Sequence, residues 1–491
     1  MKLVTRPYLF LILVSAIFLF FWLQKPLLSY FSQDDFFHLR LVMDKKISDI
    51  PWFFTNFLEG QTFYRPLSRE TYNLLIYTVF GLNPLPFHVV NLLLILANLV
   101  LIYLTIRKLN KNHFLAYFTL IIYFFSSIHS IELYYLASVQ TLMATTFSLF
   151  CLQFYINYFT ERNINYYLSS ILFFLISLLC HESAIVLPGI IFLTNFVIQG
   201  PTLKEKTLLT LPFIFLSIFY FTTTIDLSNL PKQQIYQPVF QIKTILNTLG
   251  WYILWSFGLP ETIVDFVKPG FILKEEFIIW YRDYVKIVFP LLFIAISFLI
   301  MKVWFQRKTL FSEFFLFFAI GSFIISISPF LLFPQHKFVY YLSLPIIWFS
   351  TALGFILANS WKAGNIYKLL TILMLISFII ISYQTNTLNI TTHWAAKRAK
   401  AAEVLIQQIK LDHPSVPKGS VFYIKDDPYY PDIAKEWGTS SKQAFYILSG
   451  KDAVQLIYND LTIRAYFEDV NDLPLNVDPQ KIITLTAKFP Y

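Results

Sequence analysis

Charged residues are scarce in this chain of 491 residues, because Asp, Glu, Lys and Arg together make up only 14% of it. Soluble globular domains carry about 25% charged residues, so the composition excludes an ordinary water-soluble protein. Glycine, with 13 residues, is also scarce, which argues against a helix bundle held mainly by close small-residue contacts. Hydrophobic residues make up 56% of the chain and the mean hydropathy is +0.59. These values indicate a protein whose solvent is the lipid bilayer.

Cysteine occurs only twice, at Cys151 and Cys180, and both residues lie inside apolar runs. Two such cysteines support neither a disulfide framework nor a cysteine-based metal site. The net charge of +9 would suit a nucleic acid, but Lys and Arg stand in short clusters between apolar runs. Membrane topology explains that distribution better, so no nucleic acid partner is predicted.

Apolar runs that are long enough, or nearly long enough, to cross a hydrocarbon core of about 30 Å can be placed at eleven positions in the chain. The first run lacks a small-residue cleavage pattern at its end and is interpreted as an uncleaved anchor. We therefore predict a polytopic α-helical membrane protein with about 11 transmembrane helices and external juxtamembrane helices. The runs lie at about residues 8–24, 86–106, 114–128, 138–159, 166–180, 184–199, 207–224, 284–303, 311–333, 338–358 and 366–384.

Positive charge is distributed unequally between the short loops. With the N-terminus in the cytoplasm, thirteen Lys and Arg residues fall in the inner segments, and the short outer loops contain only Lys337. Because positive charge is retained on the cytoplasmic side, we predict this orientation in the cell (inner) membrane. The apolar stretch 244–259 is short for a span and is predicted to be re-entrant or to lie at the outer interface. Regions 25–85, 225–283 and 385–491 are then external.

The tail differs in composition from the rest of the chain. Residues 385–491 carry 12 acidic and 12 basic side chains, which fits a small external α/β domain that follows a transmembrane domain over residues 1–384. Local patterns predict the elements of this tail. They are a helix at 393–411, strands at 421–424 and 444–448, a helix at 451–458, and strands at 462–468 and 481–487.

Two adjacent carboxylates, Asp34 and Asp35, stand at the start of the first external loop. Such a pair near a membrane surface can be a general base, a cation ligand or a solvated turn. Adjacent side chains on a helix point about 100° apart, so the two would not share one task. One of them can activate an acceptor hydroxyl while the other orients a neighbour or anchors the loop. Both are candidate catalytic residues.

Further polar residues follow in the same loop and in the short turns between spans. An Arg beside Tyr at the interface can bind phosphate or simply snorkel. Ionisable groups in membrane-embedded turns are costly unless they are paired or face an aqueous cavity. Two interpretations therefore stay open for these residues, a functional role and a structural salt bridge. Under the topology assigned from Lys and Arg, all of them fall on one face, as a cavity with a base and cations requires. The candidate donor- and acceptor-binding residues are Tyr64, Arg65, His88, Asn91, His129, Glu132, His181, Glu182, Lys337 and Tyr340.

The order of these motifs resembles the bacterial branch of the GT-C membrane glycosyltransferases, which are related to protein O-mannosyltransferases and to the aminoarabinose transferase of lipid A. The resemblance covers most of residues 30–345. Three positions depart from the family pattern: His181 replaces Lys, Lys337 replaces Arg, and Ile95 replaces a second His. The motifs that carry it are Asp34-Asp35, Tyr-Arg-Pro-Leu at 64–67, Phe-Gly-Leu-Asn-Pro at 80–84, Phe-His-x-x-Asn at 87–91, Glu132 with Ala137-Ser138, Glu182-Ser183-Ala184, and Lys337 to Ser343.

The resemblance implies a GT-C fold, a polyprenyl-phosphate sugar as the donor and inversion at the anomeric carbon by single displacement. It makes Asp34 the first choice for the catalytic base and Asp35 the second. The acceptor would be an envelope glycan, lipid or protein on the outer face of the membrane. No metal ligand is assigned, although a divalent cation is left open. Two other functions are left open as well. A transporter or flippase is disfavoured because the ionisable groups lie at one face rather than at mid-span, and the third alternative is a non-enzymatic assembly factor.

Overall fold

The computed structural model describes residues 22–56, 63–198, 202–224, 237–268, 272–310, 314–431 and 438–490. The first predicted span, at 8–24, therefore lies almost wholly outside the described residues. Most of the described chain is helical. The α-helices in chain order are α1 (Gln24–Leu27), α2 (Asp34–Val42), α3 (Ile50–Phe53), α4 (Tyr72–Phe80), α5 (Leu85–Leu109), α6 (His113–Phe124), α7 (Ile128–Tyr134), α8 (Val139–Glu161), α9 (Ile164–Leu178), α10 (Leu187–Val197), α11 (Leu203–Thr224), α12 (Ile242–Ser256), α13 (Glu276–Leu310), α14 (Phe314–Leu331), α15 (Pro345–Lys362), α16 (Asn365–Thr392), α17 (Trp394–Asp412), α18 (Ser440–Ile447) and α19 (Asp452–Tyr458).

Shorter elements connect these helices. A π-helical turn, Pro66–Thr71, leads into α4, and several 3₁₀ turns precede longer helices. The 3₁₀ turns are Ile47–Asp49, Leu136–Ser138, Glu182–Val186, Glu261–Phe266, Val339–Leu342 and Pro479–Lys481, and the strands are β1 (Val267–Lys268), β2 (Ile272–Leu273), β3 (Val421–Lys425), β4 (Arg464–Phe467) and β5 (Ile482–Thr486).

Five helices of the described chain are long and apolar enough to cross a membrane, and the bent pair α6–α7 makes a sixth if it is one span. Helices α9 and α10 are apolar but shorter, with 15 and 11 residues. These helices mark the chain as an integral membrane protein. The total of about eleven spans stays a prediction. The five are Leu85–Leu109, Leu136–Glu161, Leu203–Thr224, Phe314–Leu331 and Asn365–Thr392.

The predicted span at 114–128 is bent rather than straight. Helix α6 ends at Phe124, and α7 starts again at Ile128 with a change of direction of 45°. Two serines lie at the bend, and serine hydroxyls compete with the helical hydrogen bonds of the backbone. Ser126 Oγ accepts the N–H of Ile128 at 3.4 Å, and Ser130 donates to the carbonyl of Ser127 at 2.8 Å. The bend places all of α7 in the protein interior.

Helix α12 covers most of the ambiguous apolar stretch and ends in a tight turn. Gly258, just beyond it, has a φ of +94°, and a Cβ atom there would lie 3.0 Å from Ser382 Oγ on α16. The Thr385 hydroxyl donates to the carbonyl of Gly258 at 2.5 Å. Glycine is thus needed both for the backbone conformation and for the close approach. The turn packs on α16, while a re-entrant or interfacial position for residues 244–259 stays a prediction.

The C-terminal unit, residues 394–490, contains a three-stranded parallel sheet in the order β4-β3-β5. Strand β3 is central, with Val421 opposite Arg464 on one side and Ile482 on the other. The predicted helices at 393–411 and 451–458 are confirmed by α17 and α19, and three of the predicted strands by β3, β4 and β5. The predicted boundary after residue 384 falls within helix α16.

The predicted strand at 444–448 is wrong, because this segment belongs to helix α18. The side chains of Phe445 to Ile447 are typical of strands, but both helix ends are capped. Thr439 accepts the N–H of Lys442 at its N-terminus, and the N–H of Gly450 donates to the carbonyl of Phe445 at 2.8 Å. Gly450 has a φ of +60°, as a glycine beyond a helix C-terminus commonly does. Local capping therefore outweighed the strand preference of the side chains.

Candidate active site

Both predicted catalytic carboxylates lie in the first turn of α2, but their surroundings differ. Asp35 is 4% exposed, and its two oxygens accept the N–H groups of Ser32 at 3.0 Å and Ala137 at 2.8 Å. Asp34 is exposed, and its Oδ2 accepts a hydrogen bond from the hydroxyl of Tyr135. The side chain of Asp35 is therefore occupied in holding the loop against the segment before α8. Asp34 has an oxygen atom that a substrate can reach.

The electrostatics of Asp35 fit this structural task. Burial raises the pKa of Asp35 to about 8, and the two backbone hydrogen bonds oppose that rise because they favour the ionised form. A general base must approach the proton that it removes to about 3 Å. A buried carboxyl whose oxygens both face backbone donors cannot do so without breaking those contacts. Of the two carboxylates, Asp34 has the geometry of a base.

His38 lies one turn after Asp34 and was not singled out by the sequence motifs. Residues four apart share a helix face, so His38 lies on the face of α2 that carries Asp34. Burial and the nearby Arg69 and Arg65 lower the pKa of His38 well below its usual value, so the ring is neutral. One ring nitrogen lies 3.4 Å from Nε2 of Gln140. The neutral imidazole thus links the helix of Asp34 to the next group of polar residues.

Arg65 lies at the centre of that group. Its Nε donates to Oε2 of Glu182 at 2.8 Å, and Nη2 donates to the other oxygen of the same carboxylate. Its Nη1 donates to Gln140 Oε1, and the Phe63 ring centroid lies 4.9 Å from the guanidinium carbon. Burial alone would lower the pKa of Arg65, but the Glu182 carboxylate outweighs it and raises the pKa above its ordinary value. Arg65 is therefore a fixed, permanent cation.

His181 lies beside the Arg65–Glu182 pair. Its Nδ1 accepts the N–H of Ser183 at 3.1 Å, so the ring proton resides on Nε2. That Nε2 lies 3.7 Å from Glu182 Oε1. Tyr341 lies next to this group, with its ring centroid 6.5 Å from that of His181. The structure thus brings Arg65, His181 and Glu182 together.

Aromatic rings connect this group to Asp34. The ring centroid of Tyr340 lies 4.6 Å from that of Tyr341 and 5.1 Å from that of Tyr135, whose hydroxyl donates to Asp34. The Trp394 ring lies 5.3 Å from Tyr135 on the other side. The predicted binding residue Tyr340 therefore stands between the proposed base and the Arg65 group. Aromatic rings of this kind can pack against the apolar face of a sugar.

Four of the predicted binding residues lie in the interior and contact other parts of the protein. Nε2 of His88 lies 2.8 Å from the carbonyl oxygen of Ser29, and Asn91 donates to the carbonyl of Glu132 at 2.9 Å. His129 Nδ1 lies 2.8 Å from Glu132 Oε2, and its Nε2 lies 2.8 Å from the carbonyl oxygen of Tyr123. All four side chains are at most 1% exposed. In the structure they join the first loop, α5, α6 and α7.

Tyr64 and Lys337 lie at the edges of the site. The Tyr64 hydroxyl donates to the carbonyl of Phe54 at 2.7 Å, and Lys337 Nζ donates to the carbonyl of Pro334 at 2.6 Å. Burial lowers the pKa of Lys337, while Asp265 and Glu261 oppose that shift. Lys337 therefore stands close to negative charges on the segment that follows α12.

Arg398, on α17, is a cation near the site that the sequence motifs did not reveal. Its guanidinium carbon lies 5.8 Å from the ring centroid of Trp394 and 5.5 Å from that of Tyr446. Burial lowers the pKa of Arg398 to about 10, and the nearby Tyr446 and Asp34 oppose this. The spacing of Trp394 and Arg398, four residues apart on a helix, is visible in the sequence. Their position beside Asp34 is not, because it depends on how the tail packs.

The acidic and histidine side chains of the site do not form a metal-binding cluster. Across the described ranges, no group of three or more His, Cys, Asp or Glu residues is arranged to hold a metal ion. Glu182 is bound by Arg65, and both oxygens of Asp35 face backbone N–H groups. These carboxylates already have hydrogen-bond donors where a cation would have to bind.

No protein-family model matches the chain, and no curated protein sequence matches it. The fold is similar to ArnT from Cupriavidus metallidurans bound to undecaprenyl phosphate, with 11% identity, a TM-score of 0.48, and coverage of 98% of this chain and 90% of that chain. It is also similar to the Archaeoglobus fulgidus oligosaccharyltransferase tethered to an acceptor peptide, with 11% identity and a TM-score of 0.46. That comparison covers 86% of this chain and 62% of that chain. The same archaeal enzyme, AglB, in complex with an inhibitory peptide and a dolichol-phosphate, has 10% identity and a TM-score of 0.44. That comparison covers 85% of this chain and 62% of that chain. The chain thus spans 62% of the length of these oligosaccharyltransferase chains. All three structural neighbours are GT-C glycosyltransferases.

Proposed function

We propose that this protein is a membrane glycosyltransferase that moves a sugar from a polyprenyl-phosphate donor to an acceptor of the cell envelope. The supporting observation is the arrangement around Asp34, an exposed carboxylate oriented by Tyr135 beside a buried carboxylate that is fully occupied. A permanent cation, Arg65, is held in the same region by Glu182. A base and a cation joined by aromatic rings are the groups that this transfer requires.

In this proposal the acceptor hydroxyl approaches the exposed face of α2. Asp34 removes its proton while the hydroxyl oxygen attacks the anomeric carbon of the sugar. The bond between that carbon and the phosphate oxygen breaks, and polyprenyl phosphate leaves. A single displacement of this kind inverts the anomeric configuration. The hydrogen bond from Tyr135 engages one oxygen of Asp34 and leaves the other to receive the proton.

The leaving phosphate gains negative charge and needs hydrogen-bond donors. Of the five N–H groups of a guanidinium, three of those on Arg65 are engaged by Glu182 and Gln140. The other two have no acceptor in the part of the chain that the structure describes, and we assign them to the phosphate. The Nε2–H of His181 adds a neutral donor at the same place. Glu182 keeps the guanidinium oriented.

The charge distribution of the loops supports a location for the site. We assign the N-terminus to the cytoplasm, and the site and the C-terminal unit to the external face of the cell membrane. The acceptor is then a hydroxyl group of an envelope glycan, lipid or protein.

The test is a transfer assay with purified full-length protein in proteoliposomes. Polyprenyl-phosphate donors with radiolabelled sugars are supplied together with an envelope extract from a strain that lacks the protein. Asp34→Asn is expected to lower the transfer rate by about 10²- to 10⁴-fold, the usual contribution of a general base. Asp44→Asn is the matched control, because the exposed Asp44 lies in the same loop and is paired with Lys45.

Full activity of Asp34→Asn would remove Asp34 as the base. Wild-type protein that transfers none of the sugars, but moves the labelled lipid across the bilayer, would replace the enzyme proposal with a flippase.

A further inference from the structure

The backbone directly before Asp34 has a conformation that residues other than glycine rarely adopt. Gln33 has a φ of 53° and a ψ of −123°. Such strain persists only where the surrounding structure holds it in place, and it is often found at functional sites. The N–H of Gln33 donates to the carbonyl of Ile447 at 3.0 Å. Ile447 is the last residue of α18, so a backbone group of the C-terminal unit holds the residue that precedes the proposed base.

A second contact ties the same helix to the C-terminal unit. Nε of Arg40, on α2, donates to Asp452 Oδ1 at 3.0 Å. The other oxygen of Asp452 accepts the hydroxyl of Ser449 at 2.8 Å. Asp452 is 6% exposed, so solvent and salt screen this ion pair less than they screen an exposed one.

Apolar packing joins the same two parts of the chain. Side chains at the start of the first loop and on α2 share one hydrophobic cluster with side chains of the C-terminal unit. The loop contributes Phe31, Phe36 and Leu39, and the C-terminal unit contributes Ala444, Ile447, Leu448, Ala453 and Val454, among others.

Asp34 therefore stands between two anchors. Asp35, on one side, is bound to the N–H of Ala137 in the transmembrane part, and Gln33, on the other, is bound to Ile447. We propose that the C-terminal unit holds the segment that carries Asp34 in position, and that Arg40 and Asp452 are the positioning residues of this contact. This unit sets the place of Asp34 relative to Tyr135. The catalytic part of the proposal rests on the proposed function, whereas the structural part does not.

Hydrogen–deuterium exchange of full-length protein in detergent tests the structural part without any substrate. Arg40→Gln is expected to speed amide exchange in residues 31–43 by about fivefold, because loss of the ion pair favours local opening. Asp452→Asn should do the same, while Arg40→Lys, which keeps the charge, should stay within about twofold of wild type. Arg162→Gln is the matched control, since it removes an exposed ion pair with Glu205 elsewhere.

The transfer assay tests the catalytic part. Arg40→Gln and Asp452→Asn are expected to lower kcat by about 10-fold with the KM for the donor unchanged, because a displaced base slows the chemical step. Arg40→Lys should restore kcat. Because Arg40 lies partly at the surface, its variants test the proposal even where Asp452→Asn unfolds the C-terminal unit.

Unchanged exchange of residues 31–43 in Arg40→Gln would overturn the proposal. Faster exchange with an unchanged kcat would overturn the catalytic part. Faster exchange in a protein whose wild type transfers no sugar would uphold the structural contact and refute the proposed function.

Discussion

Replacing the two adjacent carboxylates one at a time should separate catalysis from stability. In Asp35→Asn the amide oxygen can still accept a hydrogen bond from one of the two backbone N–H groups, but the amide NH₂ then faces the other N–H group. One buried N–H is left unpaired, at about 1–3 kcal/mol, so the free energy of unfolding should fall by that amount. In Asp34→Asn the exposed amide oxygen can keep the hydrogen bond from Tyr135. The free energy of unfolding of Asp34→Asn should stay within about 0.5 kcal/mol of wild type, while its rate of sugar transfer falls by about 10²- to 10⁴-fold.

The two effects are measured on the same preparations. Thermal midpoints of the detergent-solubilised variants give stability, and initial rates of sugar release from labelled donor give activity, with Asp44→Asn as the control for both. Asp35→Asn should unfold earlier and lose activity in proportion to its loss of folded protein. If Asp35→Asn were as stable as wild type while Asp34→Asn were destabilised, the assignment of anchor and base from their hydrogen bonds would be refuted.

The remaining predictions concern the neighbours of these residues. Tyr135→Phe should lower kcat by about 10-fold or more and lower the free energy of unfolding by about 1–3 kcal/mol, because it deletes one hydrogen bond to a charged acceptor. Arg65→Lys should raise the KM for the donor at least about 10-fold, since an ammonium cannot hold Glu182 bidentately and also reach Gln140. Glu132→Gln should destabilise the protein by about 1–3 kcal/mol, because an amide NH₂ then replaces one of the two buried oxygens that contact His129 and Ser343. The folded-state pKa of Asp35, about 8, exceeds its ordinary value of 3.8. The contribution of Asp35 to stability is therefore fully present below about pH 4 and is lost as pH rises through 8. Thermal midpoints should fall between pH 5 and 9 in wild type and fall less in Asp35→Asn.

Matched exposed residues serve as controls for these predictions. Tyr117→Phe, Arg162→Lys and Glu205→Gln make the same chemical changes at exposed positions and should leave kcat, KM and stability near wild type. An unchanged kcat in Tyr135→Phe would show that Asp34 does not need this donor. An unchanged KM in Arg65→Lys would remove Arg65 from the donor site. A stable Glu132→Gln protein would contradict the structural task of the His129–Glu132 pair. A thermal midpoint that does not vary with pH would mean that the two N–H groups on Asp35 outweigh its burial.

The sequence predicted the membrane class and different directions for the side chains of Asp34 and Asp35, because both follow from local rules. Apolar runs of about 20 residues indicate spans, and adjacent helical residues point apart. It could not show which of the two carboxylates is buried. That depends on the N–H of Ala137, more than 100 residues further along the chain. The contacts of Tyr135 and Arg398 depend in the same way on tertiary packing.

Charge and burial were also only partly predictable. His129 and Glu132 stand in a turn between apolar runs, and the sequence left substrate binding and a salt bridge open. The structure makes them a buried pair because Ser126 and Ser127 bend the chain at that point. His38 was missed although it lies one turn after Asp34, a spacing that a helix at 34–42 would have revealed.

The charges around the site explain why geometry, rather than excess positive charge, should govern donor binding. Arg65 is paired with Glu182, Lys337 stands near Glu261 and Asp265, and Arg398 stands near Asp34. The cations around the site are thus largely balanced by carboxylates before a phosphate enters. A phosphate must then be held by the N–H groups of Arg65 that its protein partners leave over, in the orientation that Glu182 imposes. Arg65→Lys keeps the charge but loses the planar guanidinium with its five N–H donors. It should therefore weaken donor binding almost as much as Arg65→Gln does. A KM for Arg65→Lys close to wild type, with a raised KM for Arg65→Gln, would show instead that net charge decides.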